Sequence, residues 1–144
     1  SMNTASPSLK FVFHLAKLQS LLMRKFDGSL GGLGFNEFII LYSLAHAHEE
    51  KLRRIDLAGK LGLTASGITR ILLPMEKVGL VKKEVNPYDA RVSYVLLAPG
   101  GKRKLEEGLE RAEFLVKEIV PNQKKERMSE LCEILKDLSG TVQQ

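Results

Sequence analysis

Between Thr64 and Arg70 the chain gathers small, hydroxylated and basic residues within two turns of a predicted helix: Ala65, Ser66, Gly67, Thr69 and Arg70. The chemistry open to such a set is recognition rather than bond-making. Thr64 is a hydroxyl N-cap, able to accept from a free amide two or three residues on. The small side chains behind it let the helix end approach phosphates and base edges in a major groove, where hydroxyls and a guanidinium find partners. Arg54 and Lys60 precede this set, while Lys82, Lys83, Asp89 and Arg91 follow it. The cations suit phosphates, and Asp89 stands two residues before Arg91, close enough to hold its backbone or its guanidinium.

Covalent chemistries fail on spacing. Gly101-Lys102 has the end of a phosphate loop, but Leu96 stands where the first glycine is required and Arg103 where a hydroxyl would bind magnesium. There is no nucleophile elbow and no paired histidine with metalloprotease spacing. His46 and His48 are two apart, hence on different helix faces, and read as a polar helix end rather than a metal site. His14 is expected to be a partly buried or interface histidine. Cys132 is the single cysteine; it excludes an internal disulfide and reads as a small apolar residue beside Leu131, Ile134, Leu135 and Leu138. No enzyme activity, cofactor or metal is expected.

The elements that must position these residues follow from periodicity. Ser8 to Phe26 carries Phe11, Leu15, Leu18 and Leu22 at helical intervals. DGSLGGLG has four glycines in eight residues and reads as a loop bending at Gly31 and Gly32. A second helix is predicted from Phe35 or Asn36 to about His48, on Phe38, Leu41, Tyr42 and Ala45. Leu52 to Arg54 can add a short strand, and Ile55 to Leu61 is a helix facing Leu57, Ala58 and Leu61 inward.

Gly62 then supplies the tight turn into the helix 65–78, whose apolar side is Ile68, Ile71, Leu72, Met75 and Val78. Pro74 lies inside it, removes the amide that would bond the Arg70 carbonyl, and predicts a kink or irregular turn between Arg70 and Met75. Leu80 to Val85 and Val92 to Leu97 read as strands around a polar loop from Asn86 to Arg91, which makes a wing behind the helix. From Pro99 a long helix runs to about Val120 on Leu105, Leu109, Ala112 and Val116, with Leu115 and Ile119 beside them. Pro121 breaks it, and Lys124 to Leu138 forms the last helix on Met128, Leu131, Ile134, Leu135 and Leu138.

The order of these elements, the TASGITRILLPMEKVGLV helix and the DARVSYVLLA strand resemble the MarR family of bacterial winged-helix regulators, whose wing carries Asp-x-Arg ahead of an apolar strand. The resemblance covers nearly the whole chain. It departs at Ala98, where a threonine usually closes the strand and caps the next helix, and at Arg53, where a serine or threonine often caps the first helix of the pair.

The fold class this implies is mainly α with a small β wing, divided into an N-terminal dimerisation helix and loop (1–34), a winged helix-turn-helix (35–98) and C-terminal dimerisation helices (99–144), all in one structural domain. The function implied is that of a homodimeric repressor of a palindromic double-stranded DNA operator, relieved by a small aromatic or anionic effector. Helix 65–78 would read the major groove through Ser66, Gly67, Thr69 and Arg70. Arg91 would enter the adjacent minor groove, and Arg54, Lys60, Lys82 and Lys83 would serve phosphates. The competing reading is a winged-helix module that binds protein, its basic patch only a solvated face.

Charge agrees with a polyanionic partner. The 144 residues carry a net +5. Lys51 to Lys104 holds twelve Lys and Arg against four Asp and Glu, leaving ten basic and thirteen acidic residues in the flanks. The basicity therefore belongs to the reading head. A content of 44% hydrophobic and 27% charged residues is that of a globular domain. Its apolar segments are interrupted by charges well before a membrane-spanning length, so a cytoplasmic location is expected.

An amphipathic terminal hairpin has no means of burying its own stripe, so either a symmetric partner or the second helix must cover it. Deletion of Pro121 to Gln144 is therefore expected to give an aggregating or unfolded chain in size-exclusion chromatography; a soluble, folded, monomeric truncation would overturn the obligate dimer.

Overall fold

The computed structural model describes residues 2–120 and 124–143. Six helices and a three-stranded antiparallel sheet follow in the order α1 (Pro7–Phe26), α2 (Phe35–Ala45), β1 (Lys51–Leu52), α3 (Arg54–Leu61), α4 (Ala65–Lys77), β2 (Val81–Asn86), β3 (Asp89–Leu97), α5 (Pro99–Ile119) and α6 (Lys125–Gln143). The sheet order is β1-β3-β2, with Lys51 opposite Leu96 and Lys83 opposite Val95. This is a winged helix with long helices at both ends. The expected break at Pro121 falls outside the described residues.

Local chemistry sets the joints. The Ser6 hydroxyl caps α1 by accepting from the Leu9 amide at 3.1 Å. The glycine loop ends where Asp27 Oδ1 accepts from the Phe35 amide and Glu37 Oε1 from the Gly34 amide, both at 2.6 Å, so α2 starts capped without a hydroxyl residue. The rings of Phe26 and Phe35 stack at 4.6 Å across that loop. No side chain at Arg53 caps the first turn of α3; Asp56 supplies only the return half of a capping box, accepting the Arg53 amide at 3.2 Å. Gly62 adopts φ 68°, the left-handed turn that starts the helix-turn-helix.

The core is built by Ile40, Leu41 and Leu44 of α2, Leu57 of α3, and Ile68 and Met75 of α4, all fully buried, with Leu97 of β3 and Leu105 of α5 closing it. Four expectations change. Tyr42 is not core but half-exposed and stacked on His46 at 4.2 Å; Ile40 and Leu44 take the inner face. Helix α2 ends at Ala45, and His48 to Glu50 forms a 3₁₀ turn in which Glu49 and Glu50 hold positive φ. Val78 caps the end of α4 and is 73% exposed, so it adds nothing to the apolar side. Pro74 does not interrupt α4, which is continuous to Lys77. Both Pro74 and Arg70 are on the exposed face, where water can serve the carbonyl that loses its amide.

The wing is also tighter than predicted. Asn86 pairs with Asp89, so only Pro87 and Tyr88 form the turn and Asp89 to Arg91 belong to a strand. In α5 the buried positions are Gly101, Leu105, Gly108 and Ala112, while Val116 faces out. The glycines leave room for close neighbours: a Cβ at Gly101 would overlap the Leu80 carbonyl oxygen and press on Leu97, and one at Gly108 would lie 3.0 Å from the Phe38 ring. Helix α6 runs on to Gln143, past the expected end at Leu138, and its Leu131, Ile134, Leu135, Leu138 and Val142 remain exposed. No described helix is long and apolar enough to cross a membrane.

Gly101→Ala should accordingly cost about 2 kcal/mol by overpacking. Gly59→Ala, on α3 with open space around the position, should gain about 0.5 kcal/mol by restricting the unfolded chain. Urea unfolding of both variants checks this, and equal effects would refute the close approach of α5 to the Leu80 backbone.

Candidate nucleic-acid interface

The start of α4 is built around its cap. Thr64 Oγ1 accepts from the Gly67 amide at 3.0 Å and lies 3.2 Å from Ser66 Oγ. Gly67 is small for a reason, since a Cβ there would sit 3.2 Å from Thr64 Oγ1 and crowd the cap. Ile68, Leu72 and Met75 are buried, which turns Ser66 and Arg70 outward into solvent. The cap leaves other first-turn amides unpaired at the positive end of a helix dipole, the usual setting for a phosphate or a base edge.

An open cleft of about 470 Å³ runs along this helix start, lined by Arg53, Arg54, Ile55, Ala65, Ser66, Thr69, Arg91, Val92 and Ser93. It brings together the first residues of α3, the first turns of α4 and the wing, three pieces far apart in sequence. Arg54 Nη1 donates to Thr69 Oγ1 at 3.0 Å across the helix pair. Arg53 is closed instead on Asp56, with Nε and Nη2 each 3.1 Å from a carboxylate oxygen. That guanidinium contact holds the Asp56 carboxyl below its ordinary range.

At the wing, register shifts from Val85 opposite Ser93 to Asn86 opposite Asp89, so Ala90, Arg91 and Val92 form a bulge. Bulges re-aim side chains out of the ladder. The Asn86 side chain closes the turn by accepting from the Tyr88 and Asp89 amides at 2.8 and 3.3 Å. Asp89 Oδ1 accepts from both the Arg91 amide and Arg91 Nε at 3.0 Å, and Oδ2 accepts from Nη2 at 3.2 Å. The single carboxylate thus holds backbone and guanidinium together, both roles that the sequence spacing allowed. The Arg91 side chain remains 91% exposed.

The other sequence-derived residues are distributed unevenly. Arg70 is exposed on α4 but outside the cleft. Lys82 and Lys83 are adjacent on β2 and so point to opposite faces of the hairpin. Lys83 shares the face of Val81, Val95 and Ser93, whereas Lys82 shares that of Glu84 and Tyr94. Lys60 is not brought to the cleft; it borders a different groove, with Leu15 of α1, Gly62, and Leu135, Leu138 and Val142 of α6. There Gln143 Nε2 donates to the Gly59 carbonyl at 3.0 Å. Charge and cap chemistry in the sequence do not single out Ser93 or Tyr88 as site residues. Ser93 lines the cleft, and its signal was the strand alternation with Val95. Tyr88, 97% exposed at the wing tip, was visible only as part of a polar loop.

Among the described residues no group of three or more His, Cys, Asp or Glu is placed to hold a metal. His46 is engaged locally, with Nδ1 3.0 Å from the Tyr42 carbonyl oxygen. Cys132 is exposed on α6, not tucked into an apolar stripe within the chain.

This combination of α-helical pair, three-stranded wing and long terminal helices defines a winged helix-turn-helix protein. No protein-family model matches the chain. It is similar to Sco3205, a MarR family transcriptional regulator from Streptomyces coelicolor solved in complex with DNA, with 22% identity, a TM-score of 0.85, and coverage of 100% of this chain and 93% of that one. The transcriptional regulator BldR from Sulfolobus solfataricus is 27% identical with a TM-score of 0.79, over 94% of this chain and 99% of its own. The uncharacterized HTH-type transcriptional regulator YdgJ of Bacillus subtilis (strain 168) is 24% identical over 137 residues, 95% of this chain and 82% of that protein. The chain has the MarR-type winged-helix fold, as its sequence resemblance implied.

The Asp89 carboxyl is held below its ordinary value, first by the Arg91 guanidinium and then by the Arg91 amide. A depressed carboxylate adds stability above its unfolded pKa, near 4, and loses it as pH falls through the lowered folded value. Arg91→Ala should therefore raise the Asp89 midpoint toward the ordinary range in a carboxyl NMR titration, while Asp56 stays put; an unmoved Asp89 would refute the pairing.

Proposed function

We propose that this chain is a homodimeric, sequence-specific DNA-binding transcriptional regulator of the cytoplasm, a repressor of a palindromic operator released by a small effector. The observation that carries the DNA-binding reading is the cleft itself. It joins a capped helix start, Ser66 and Thr69 to the exposed guanidinium of Arg91, and polar groups of this kind serve base edges and backbone phosphates. In this reading Ser66, Gly67, Thr69 and Arg70 face the major groove, and Arg91 enters the adjacent minor groove. Lys83 and Lys82 contact phosphates from the two faces of the wing. Lys60 serves DNA only beyond the cleft, on the α6 side.

The dimer is supported by what the fold leaves uncovered. Phe11, Leu18 and Leu21 on α1 and Leu131, Ile134, Leu135 and Leu138 on α6 are exposed in the single chain. Stripes of this length in water call for a partner, and a second copy offers the matching pair. Effector release rests on the family resemblance. An open cleft of about 850 Å³ between Gly28-Ser29 and α5 offers Phe114, Arg111 and Lys117 to an aromatic anion, beside Glu107, Glu110 and Glu113.

Binding sites selected from random duplexes should be palindromic. On such a site Arg70→Ala should cost about 1 to 3 kcal/mol at one base position and flatten preference there, while Arg91→Ala should weaken A·T-flanked sites most and lower the salt slope. Titrations on matched and single-base-changed duplexes at several salt concentrations check this. Identical losses on specific and random DNA would refute the division of roles, and a parent chain without DNA affinity would favour protein binding instead.

A further inference from the structure

We propose that Arg54 is a positioning residue for base reading by Thr69, and that the pair makes this position of the interface discriminate against guanine. The proposal rests on the DNA-binding reading above and changes the role of one residue within it. Charge alone assigns Arg54 to phosphates. Its geometry points elsewhere, because Nη1 donates to Thr69 Oγ1 at 3.0 Å, from the first residue of α3 to the second turn of α4.

The hydrogen-bond inventory of Thr69 carries the consequence. A hydroxyl has one hydrogen and two lone pairs. The hydrogen is given to the Ala65 carbonyl of the preceding turn, at 3.1 Å. One lone pair is taken by Arg54. What remains is one lone pair and the methyl group, on a side chain fixed by bonds to two helices. A base edge therefore meets an acceptor or a methyl, not a donor.

The amine of cytosine N4 or adenine N6 can donate to that acceptor, and a thymine methyl can pack against the Thr69 methyl. Guanine presents N7 and O6, two acceptors, and faces a third. Without Arg54 both lone pairs are released and the hydroxyl hydrogen is free to turn from Ala65 toward a guanine acceptor. The neighbouring guanidinium does not substitute, since Arg53 is occupied by Asp56. Arg54 also borders the second hollow beside α4, with Thr69, Glu76, Lys83 and Ser93, so it stands as the wall between α3, α4 and the wing.

The test uses the full chain and a duplex selected from random sequence. Thr69→Val locates the base pair beneath Thr69 as the position where preference flattens. Arg54→Ala should then reduce discrimination at that same base pair by about tenfold, chiefly by relieving the guanine penalty, and leave the salt slope unchanged. Arg54→Gln, whose amide nitrogen ends two bonds short of the place Nη1 holds against Thr69 Oγ1, should lose the discrimination as the alanine variant does. Adding Arg54→Ala to Thr69→Val should change base preference no further.

A phosphate contact behaves otherwise. Arg54→Ala and Arg54→Gln would then weaken specific and random duplexes alike, with the salt slope reduced by about 0.9 per subunit, and that result overturns the proposal. Melting curves establish that the variants fold, and the glutamine variant decides the matter if the alanine variant does not. A parent chain that fails to bind any duplex overturns the DNA-binding reading itself, whereas a binding parent with uniform Arg54 losses overturns the positioning role alone.

Discussion

The burial of one face of α4 governs the rest of this molecule. Ile68, Leu72 and Met75 leave water against α2, α3 and β2, each side chain contributing about 2 kcal/mol. A helix with a single apolar face has one rotational setting that buries it, and that setting decides where every other side chain points. Ser66 and Arg70 are outward because Ile68 and Met75 are inward. Leu57 of α3 shares the same core, so the start of α3 and the start of α4 are fixed relative to one another and Arg54 is within reach of Thr69.

Around this rigid head the connections differ in character. The joint from α2 into the sheet is ionic: Lys51 lies 3.3 Å from Glu49 and 3.1 Å from Glu84, and Lys102 of α5 lies 2.8 Å from Glu50. Glu49 and Glu50 hold left-handed backbone there, a conformation that costs about 1 kcal/mol for a residue with a Cβ. The junction into α5 is apolar and close-packed, through Gly101 and Leu105. Helix α1, by contrast, joins the core chiefly through Leu22 and Phe26 at its last turn. The molecule is thus firm at the reading head and open at the ends.

Much of this was legible in sequence because it is local. Caps, the Gly62 turn and the periodicity of each helix depend on neighbours within a turn or two, and Thr64 and Gly62 behave as their types dictate. The misses have another cause. Gly101 and Gly108 carry no side chain for a hydropathy pattern to register, although they are where α5 is most deeply packed. The bulge at Ala90 to Val92 comes from the register of two strands, which no spacing within one strand encodes. Pro74 predicts a kink because sequence does not reveal that the orphaned carbonyl faces water. Arg54 and Thr69 are fifteen residues apart, and only the packing of two helices makes them partners.

The grip of Asp89 on Arg91 has a consequence for how the protein would search for its target. A guanidinium paired with a carboxylate is nearly neutral when viewed from beyond a Debye length, about 8 Å at physiological salt. The wing tip therefore adds little to the pull that a polyanion feels at a distance, and capture falls to the unpaired cations of α4 and β2. Only in close contact does Arg91 offer its remaining N–H groups, already held in place, so little rotamer freedom is left to lose. The arrangement separates attraction from commitment. On the proposed DNA-binding role, random duplex would be drawn in by the body of the head, and the residence of the wing would depend on the shape of the groove it meets.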